Sequence, residues 1–155
     1  TTAEFFAGTE RLRSAFPGCA ITTDLITGFP GETEEEFSQT LAFIEKCAFS
    51  AMHVFPYSIR PGTKAADMPG QIEKSEKAAR SERAKRVADR MQREYLTACV
   101  GKTLGVIFET ETDGESRGHA ENYTEDAVPG KMERGVVRMV KITGVRGEML
   151  VGTAL

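Results

Sequence analysis

The stretch Cys19–Phe37, CAITTDLITGFPGETEEEF, constrains the fold more than any other part of the chain. It begins as a β-branched, apolar run with little apolar–polar alternation. That pattern predicts a buried strand of a parallel sheet. The run breaks at Gly28-Phe29-Pro30-Gly31, a turn written in residues that set special backbone angles. A helix follows. Thr33 stands as its N-cap, Glu36 completes a capping box, and Phe37, Leu41, Ile44 and Ala48 recur at helical spacing. Parallel strands need crossover partners, and the flanks supply them. Phe5, Thr9, Leu12 and Phe16 predict an amphipathic helix over residues 2–16, ended by Pro17-Gly18. SAMHVFPYS, residues 50–58, predicts a second strand, followed by the loop IRPGTKAADMPG. Helix, strand, helix, strand is the order of an α/β fold with a parallel sheet.

The pattern then changes twice. From Gln71 to Ala98 the chain reads as one long charged helix with a narrow apolar stripe of Ala84, Val87, Met91, Tyr95 and Ala98. After Gly101 it breaks into short strand-like runs, TLGVIFE, GVVRMVKITGV and EMLVGTAL, with turn signals at TDGES, VPGK and VRGE. Short strands at that spacing predict a small antiparallel barrel. The expected organisation is an α/β part over residues 1–70, a connecting helix over 71–98 and an all-β part over 99–155. Two parallel strands leave two open edges and do not form a stable sheet alone. Together with Thr1 at the start, this makes residues 1–70 the expected end of a larger α/β unit, its edge covered by a partner chain or by self-association.

Composition bounds the function classes. The net charge of −3 excludes a uniformly basic nucleic-acid binder and leaves room for a local basic face. No apolar run approaches bilayer length and no signal-peptide pattern opens the chain, so no membrane partner is expected. Cys19, Cys47 and Cys99 are too far apart for a disulfide framework or a metal-ligand cluster, and read as reduced thiols of a cytoplasmic protein.

Four regions carry candidate chemistry. In parallel α/β folds ligands bind at the carboxyl ends of strands, where Gly28–Glu32 falls. Its glycines allow close approach, the helix start offers N–H groups, and Phe29 with Pro30 can face an adenine. A capped turn without a ligand is the other reading of the same residues. In HVFPYSIRPGT, Arg60 suits a phosphate or carboxylate, and Phe55 or Tyr57 can stack on a base. His53 reads as a core or rim residue. The mixed-sign helix, with Lys74, Lys77, Arg80, Arg83, Lys85, Arg86, Arg90 and Arg93, is either a solvated face of i,i+4 pairs or a support for RNA backbone. In the last third, Tyr123 with Asn122, Arg117, Lys131, Arg134, Arg138, Lys141 and Arg146 fits loop or single-stranded RNA through stacking and phosphate contacts.

DLITGFPGETEEEF and HVFPYSIRPGTKAADM resemble the late strands and loops of radical S-adenosylmethionine tRNA methylthiotransferases. The HVFPYS wording is nearest the branch acting on N6-threonylcarbamoyladenosine. Residues 101–155, with ENY and VKIT, resemble the RNA-binding TRAM domain of these enzymes. The resemblance implies the last two strands of a partial TIM-like barrel followed by TRAM. It implies that Gly28, Phe29, Pro30, Gly31 and Glu32, with Asp24 near the same rim, contact S-adenosyl-L-methionine. It also implies a tRNA anticodon stem-loop as partner. Such enzymes use [4Fe–4S] clusters, one of them on a C-x3-C-x2-C motif that Cys19, Cys47 and Cys99 cannot form. The resemblance therefore implies a C-terminal piece that is inactive alone and depends on the remainder of the enzyme chain. A stand-alone RNA-binding protein, or a sister enzyme acting on isopentenyladenosine or a ribosomal protein, stays open.

Overall fold

A computed structural model describes residues 1–155. The backbone divides into two compact units, Thr1–Pro17 with Ile21–Gln92, and Gly18–Ala20 with Arg93–Leu155. No helix is long and apolar enough to cross a membrane.

In the first unit, α1 (Thr2–Ala15) starts at a Thr1–Glu4 capping box. Strand β1 (Thr22–Thr27) leads through the Gly28–Glu32 turn into α2 (Glu34–Cys47), which opens on the expected Thr33–Glu36 capping box. The end of α2 is closed by Ala48 in the left-handed region, φ 50°, and by Arg13, which donates to the carbonyls of Cys47 and Ala48. Strand β2 (Ala51–Pro56) pairs with β1 in parallel, Asp24 opposite His53 and Ile26 opposite Phe55. The long helix α3 (Lys74–Cys99) gives its earlier turns to this unit, where Val87, Ala88 and Met91 pack with Ile44, Cys47, Phe49 and Met52.

The sheet departs from the expected strand buried on both faces. Leu25, Met52 and Val54 lie against the helices, whereas Thr22, Asp24, Ile26, His53 and Phe55 are exposed. Successive strand residues point to opposite faces, and helices cover only one of them. Ile26 is 54% exposed and Phe55 50%. The apolar composition of β1 therefore marks a face that nothing in these residues covers.

The second unit is a closed barrel of β3 (Thr103–Thr112), β4 (Glu115–Ala120), β5 (Glu125–Pro129), β6 (Val137–Arg146) and β7 (Met149–Ala154), in the order β3-β4-β5-β7-β6. Pairing of β3 with β6 closes it, and β5 runs parallel to β7. Closure removes the open edges that the β1–β2 sheet keeps. The TDGES signal becomes a two-residue hairpin turn with both Asp113 (φ 54°) and Gly114 (φ 76°) left-handed, as a type I′ turn requires. Leu104, Val106, Phe108, Val128, Val140, Ile142 and Leu150 fill the interior, joined by Leu96 and Cys99 from the last turns of α3. The helix expected as a connector thus serves as core in both units.

A polar chain runs through this core. Tyr95 Oη donates to the Gly18 carbonyl (3.0 Å), Asn122 Nδ2 donates to Tyr95 Oη (3.0 Å), and Asn122 Oδ1 accepts from the Thr124 amide (3.3 Å). Thr124 Oγ1 lies 2.8 Å from Asn122 Oδ1 and 2.9 Å from Asp126 Oδ2. One hydroxyl proton cannot serve both acceptors. When Asp126 Oδ2 is protonated the count closes, because Asp126 donates to Thr124, which donates to Asn122; when it is ionised, Thr124 donates to only one of the two acceptors. Burial pushes the Asp126 carboxyl up from 3.8 to about 6, against the opposing Thr124 bond and His119.

A carboxyl whose folded-state pKa is raised stabilises the fold fully below its unfolded value, and that contribution is lost as pH rises through the folded one. Stability of the native chain relative to Asp126→Asn should fall between pH 4 and pH 7, by about 3 kcal/mol at most for a shift of this size. Urea midpoints followed by circular dichroism at pH 4.5 and 7.5 measure the difference. Parallel pH dependence of the two proteins would show Asp126 to be ionised in the fold.

Candidate functional site

The turn after β1 is locked from within. Gly28, buried at φ 70°, donates its N–H to Glu32 Oε2 at 2.8 Å. The same oxygen accepts from Arg80 Nη1 at 2.8 Å, and Arg80 also donates to the Glu32 carbonyl at 2.8 Å. Arg80 is 3% exposed, stacks over Phe37 at 5.6 Å and pairs with Glu76. Burial alone would lower the pKa of its guanidinium, but Glu32, Glu76 and Glu34 outweigh that and raise it. Gly31 N–H donates to the Gly70 carbonyl (2.9 Å), Glu32 N–H to that of Phe29 (2.9 Å), and Thr33 N–H to Glu36 (2.8 Å). These amides are engaged inside the protein: the Glu32 carboxylate takes that of Gly28, backbone carbonyls take those of Gly31 and Glu32, and the capping box takes that of Thr33.

What the turn turns outward is Phe29. Its ring is 42% exposed and meets Tyr57 edge to face at 5.3 Å. Tyr57 is anchored by its N–H to the Thr27 carbonyl (2.8 Å), while Lys77 Nζ donates to the Tyr57 carbonyl (3.2 Å) and sits 5.3 Å from its ring. The Tyr57 hydroxyl is buried and has no hydrogen-bond partner. Beyond it an open cleft of about 450 Å³ is lined by Ile26, Phe55, Tyr57, Ser58, Arg60 and Thr63 among others. The Thr63 hydroxyl donates to the Arg60 carbonyl at 2.8 Å and shapes the loop.

The structure thus gathers Phe55, Tyr57 and Arg60 into one cleft and brings Phe29 to its aromatic wall. It does not bring Gly28, Gly31 or Glu32 to the lining. Asp24 stands on the open sheet face, opposite His53. Sequence reasoning missed Lys77, Arg80 and Ser81 as members of this region. The i, i+3, i+4 spacing that puts them on one helix face was legible, but their partners at Tyr57, Glu32 and Thr27, 20, 48 and 54 residues away, were not.

On the barrel, Tyr123 ends a tight hairpin turn between β4 and β5, its N–H donating to the Ala120 carbonyl at 2.9 Å. It adopts φ 62° and is 88% exposed. A left-handed backbone costs a non-glycine residue about 1 kcal/mol, and here it displays an aromatic ring to solvent. Asn122 turns inward into the polar chain described above. Several basic residues already have acidic neighbours: Arg146 with Glu115 (2.6 Å), Lys131 with Glu111 (3.6 Å) and Arg138 with Glu133 (4.0 Å). Lys141 donates to the Gly101 carbonyl, and Arg117 has a buried Nε without a partner. On α3, Arg83 reaches Glu34 at 2.6 Å and Arg90 pairs with Glu45, so part of the mixed-sign face ties down α2.

No three His, Cys, Asp or Glu side chains come together as a metal-binding group, and Cys47 and Cys99 are buried in different cores. The residues present do not fit an iron–sulfur cluster. The exposed Phe29 ring and the aromatic cleft beside it do fit one face of a purine ligand.

No family model matches the chain. Curated relatives do. The threonylcarbamoyladenosine tRNA methylthiotransferase MtaB of Bacillus subtilis is 40% identical over 147 residues, which are 91% of this chain and 32% of that protein. A tRNA-2-methylthio-N(6)-dimethylallyladenosine synthase of Mycobacterium sp. (strain MCS) is 48% identical over 108 residues, 70% of this chain and 20% of that protein. The synthase of the same name from Mycobacteroides abscessus is 35% identical over 159 residues, 95% of this chain and 31% of its own length. The chain belongs to the tRNA methylthiotransferase family, and it spans about a third or less of these relatives.

The two turn glycines should differ. An added Cβ at Gly28 would lie 2.3 Å from Lys77 Cγ, whereas at Gly31 nothing lies within 4 Å. Gly31→Ala should cost only the left-handed strain, about 1 kcal/mol, and Gly28→Ala that strain plus displacement of Lys77, about 2–3 kcal/mol. Urea unfolding of the two variants tests the order, and equal losses would mean that Lys77 does not pack on the turn.

Proposed function

We propose that the chain is the C-terminal part of a tRNA methylthiotransferase, combining late strands of a partial TIM-like radical S-adenosylmethionine core with a TRAM-type RNA-binding barrel. In this reading residues 1–70 are the end of the core, 71–98 the connecting helix and 99–155 the RNA-binding part. The observation that carries the reading is the MtaB relative, alike over nearly the whole chain, both α/β residues and barrel. The open edges of the two-stranded β1–β2 sheet support it, since unpaired edges suit a sheet that continues into further strands of the enzyme.

The proposed reaction places a methylthio group on C2 of N6-threonylcarbamoyladenosine next to the anticodon. S-adenosyl-L-methionine would supply both the radical that activates this carbon and the methyl group. In this chain Phe29 would wall the adenosyl group, with Gly28, Pro30, Gly31, Glu32 and Asp24 shaping the rim. Phe55, Tyr57 and Arg60 would hold the substrate nucleoside, apolar surface against the base and guanidinium against an anionic group. The iron–sulfur clusters would be held by residues outside this chain, which alone would be inactive. The dimethylallyladenosine synthases among the relatives favour isopentenyladenosine as the second substrate reading. Mass spectrometry of tRNA nucleosides from cells with and without the complete gene separates the two. Methylthiolated threonylcarbamoyladenosine should disappear on deletion, and loss of the isopentenyl product instead would select the second reading.

On the barrel, Tyr123 would stack on a loop base, with Arg117, Lys131 and Lys141 for phosphates and Asn122 holding the turn. Binding of an anticodon stem-loop should fall steeply with salt. Tyr123→Gly relieves the left-handed strain, so it should leave stability unchanged or raised by up to about 1 kcal/mol while weakening RNA binding. Fluorescence anisotropy with a labelled stem-loop and a urea titration read the two effects. Undiminished affinity in Tyr123→Gly carrying Lys141→Ala would remove this surface from the reading.

A further inference from the structure

The first turns of α3 carry more than a connector needs. Lys77, Arg80 and Ser81, at i, i+3 and i+4 on one helix face, each reach the loops at the strand ends. The Ser81 hydroxyl meets the buried Thr27 hydroxyl at 2.7 Å. The Lys77 stem fills the space that makes position 28 a glycine, and its ammonium caps the Tyr57 carbonyl. Arg80 binds both the carboxylate and the carbonyl of Glu32.

The chain of contacts has a direction. Glu32 Oε2 accepts from Gly28 N–H and from Arg80 at once, each at 2.8 Å. With the guanidinium removed, that partly buried carboxylate loses its charge partner and turns to water, releasing the Gly28 amide. Gly28 directly precedes Phe29, so its peptide sets where the Phe29 ring stands against Tyr57. The guanidinium fork matters here beyond its charge. One nitrogen serves the carbonyl and Oε2 of Glu32 while another reaches Glu76, which a lysine ammonium cannot reproduce in the same plane.

We propose that Arg80 is a positioning residue: by pinning Glu32 onto the Gly28 amide it fixes the Phe29 wall of the site, with Lys77 and Ser81 bracing the same loops. Glu32 is then an internal strut that does not contact the ligand. The inference rests on the reading of Phe29 as a ligand wall, and its test separates the two.

Arg80→Lys keeps the charge and helix propensity, and Glu32→Gln keeps an acceptor for Gly28. Amide exchange of the 155-residue chain and both variants is followed by NMR, with Val87 and Met91 as core references. Gly28 should exchange at least tenfold faster in Arg80→Lys while the core amides hold. In Glu32→Gln its resonance should move upfield as a charged acceptor becomes neutral. Unchanged Gly28 exchange in a folded Arg80→Lys would overturn the clamp. S-adenosyl-L-methionine is then titrated into each protein. Perturbation at Phe29 and Tyr57, with at least fivefold weaker binding in Arg80→Lys, supports the positioning role, because a purely structural arginine would not change affinity while the core stays intact. Equal affinity despite a released Gly28 overturns that role. No perturbation in the native chain refutes Phe29 as a ligand wall, and the clamp is then decided by exchange alone.

Discussion

The α/β unit depends on one buried cation. Arg80 sits almost without solvent among Glu32, Glu76 and Glu34, with Phe37 beneath it. A guanidinium removed from water is tolerable only when carboxylates and carbonyls replace its hydration shell. Satisfying it forces three separate pieces of chain into register: the turn after β1, the start of α2 and the start of α3. The Gly28–Glu32 turn owes its shape less to its glycines than to the arginine behind it. The glycines permit the backbone angles, and the ion pair selects them.

The two units answer the edge problem of β-structure in opposite ways. The barrel closes on itself, pairs every strand on both sides and buries a full apolar interior around Phe108 and Ile142. The β1–β2 sheet stays open, with Asp24, Ile26, His53 and Phe55 on a bare face. The relatives are about three times as long as this chain, or more. The barrel is complete in itself, whereas the sheet keeps open edges and an open face. Within the barrel the interior is not wholly apolar. The chain from Asp126 through Thr124 and Asn122 to Tyr95 ties the β4–β5 turn to the end of α3 by hydrogen bonds, and holds the turn that displays Tyr123.

Much of this was legible in the sequence because it rests on short-range rules. Capping at Thr33, the Asp113-Gly114 turn, the helical stripe of α3 and the alternation of the barrel strands all depend on neighbours within a few residues. Phe55, Tyr57 and Arg60 could be grouped because they lie on one short segment. The same local reading misjudged β1 as buried on both faces, because composition reports what a face is suited to meet and not whether it meets it. Nor does anything in GFPGE show which donors its own glutamate takes.

By itself the sequence determined the order of elements, the turn positions and the kinship with tRNA methylthiotransferases, all written in local spacing and motif. Only the tertiary structure decided which charges became internal. Arg80, Lys77 and Ser81 look like ordinary members of a solvated helix until α3 lies against the strand ends. Asp126 looks like a surface carboxylate until β5 turns it into the barrel. Burial and partner choice are properties of long-range contact, and ion pairing, the raised pKa of Asp126 and the pose of Phe29 all follow from them.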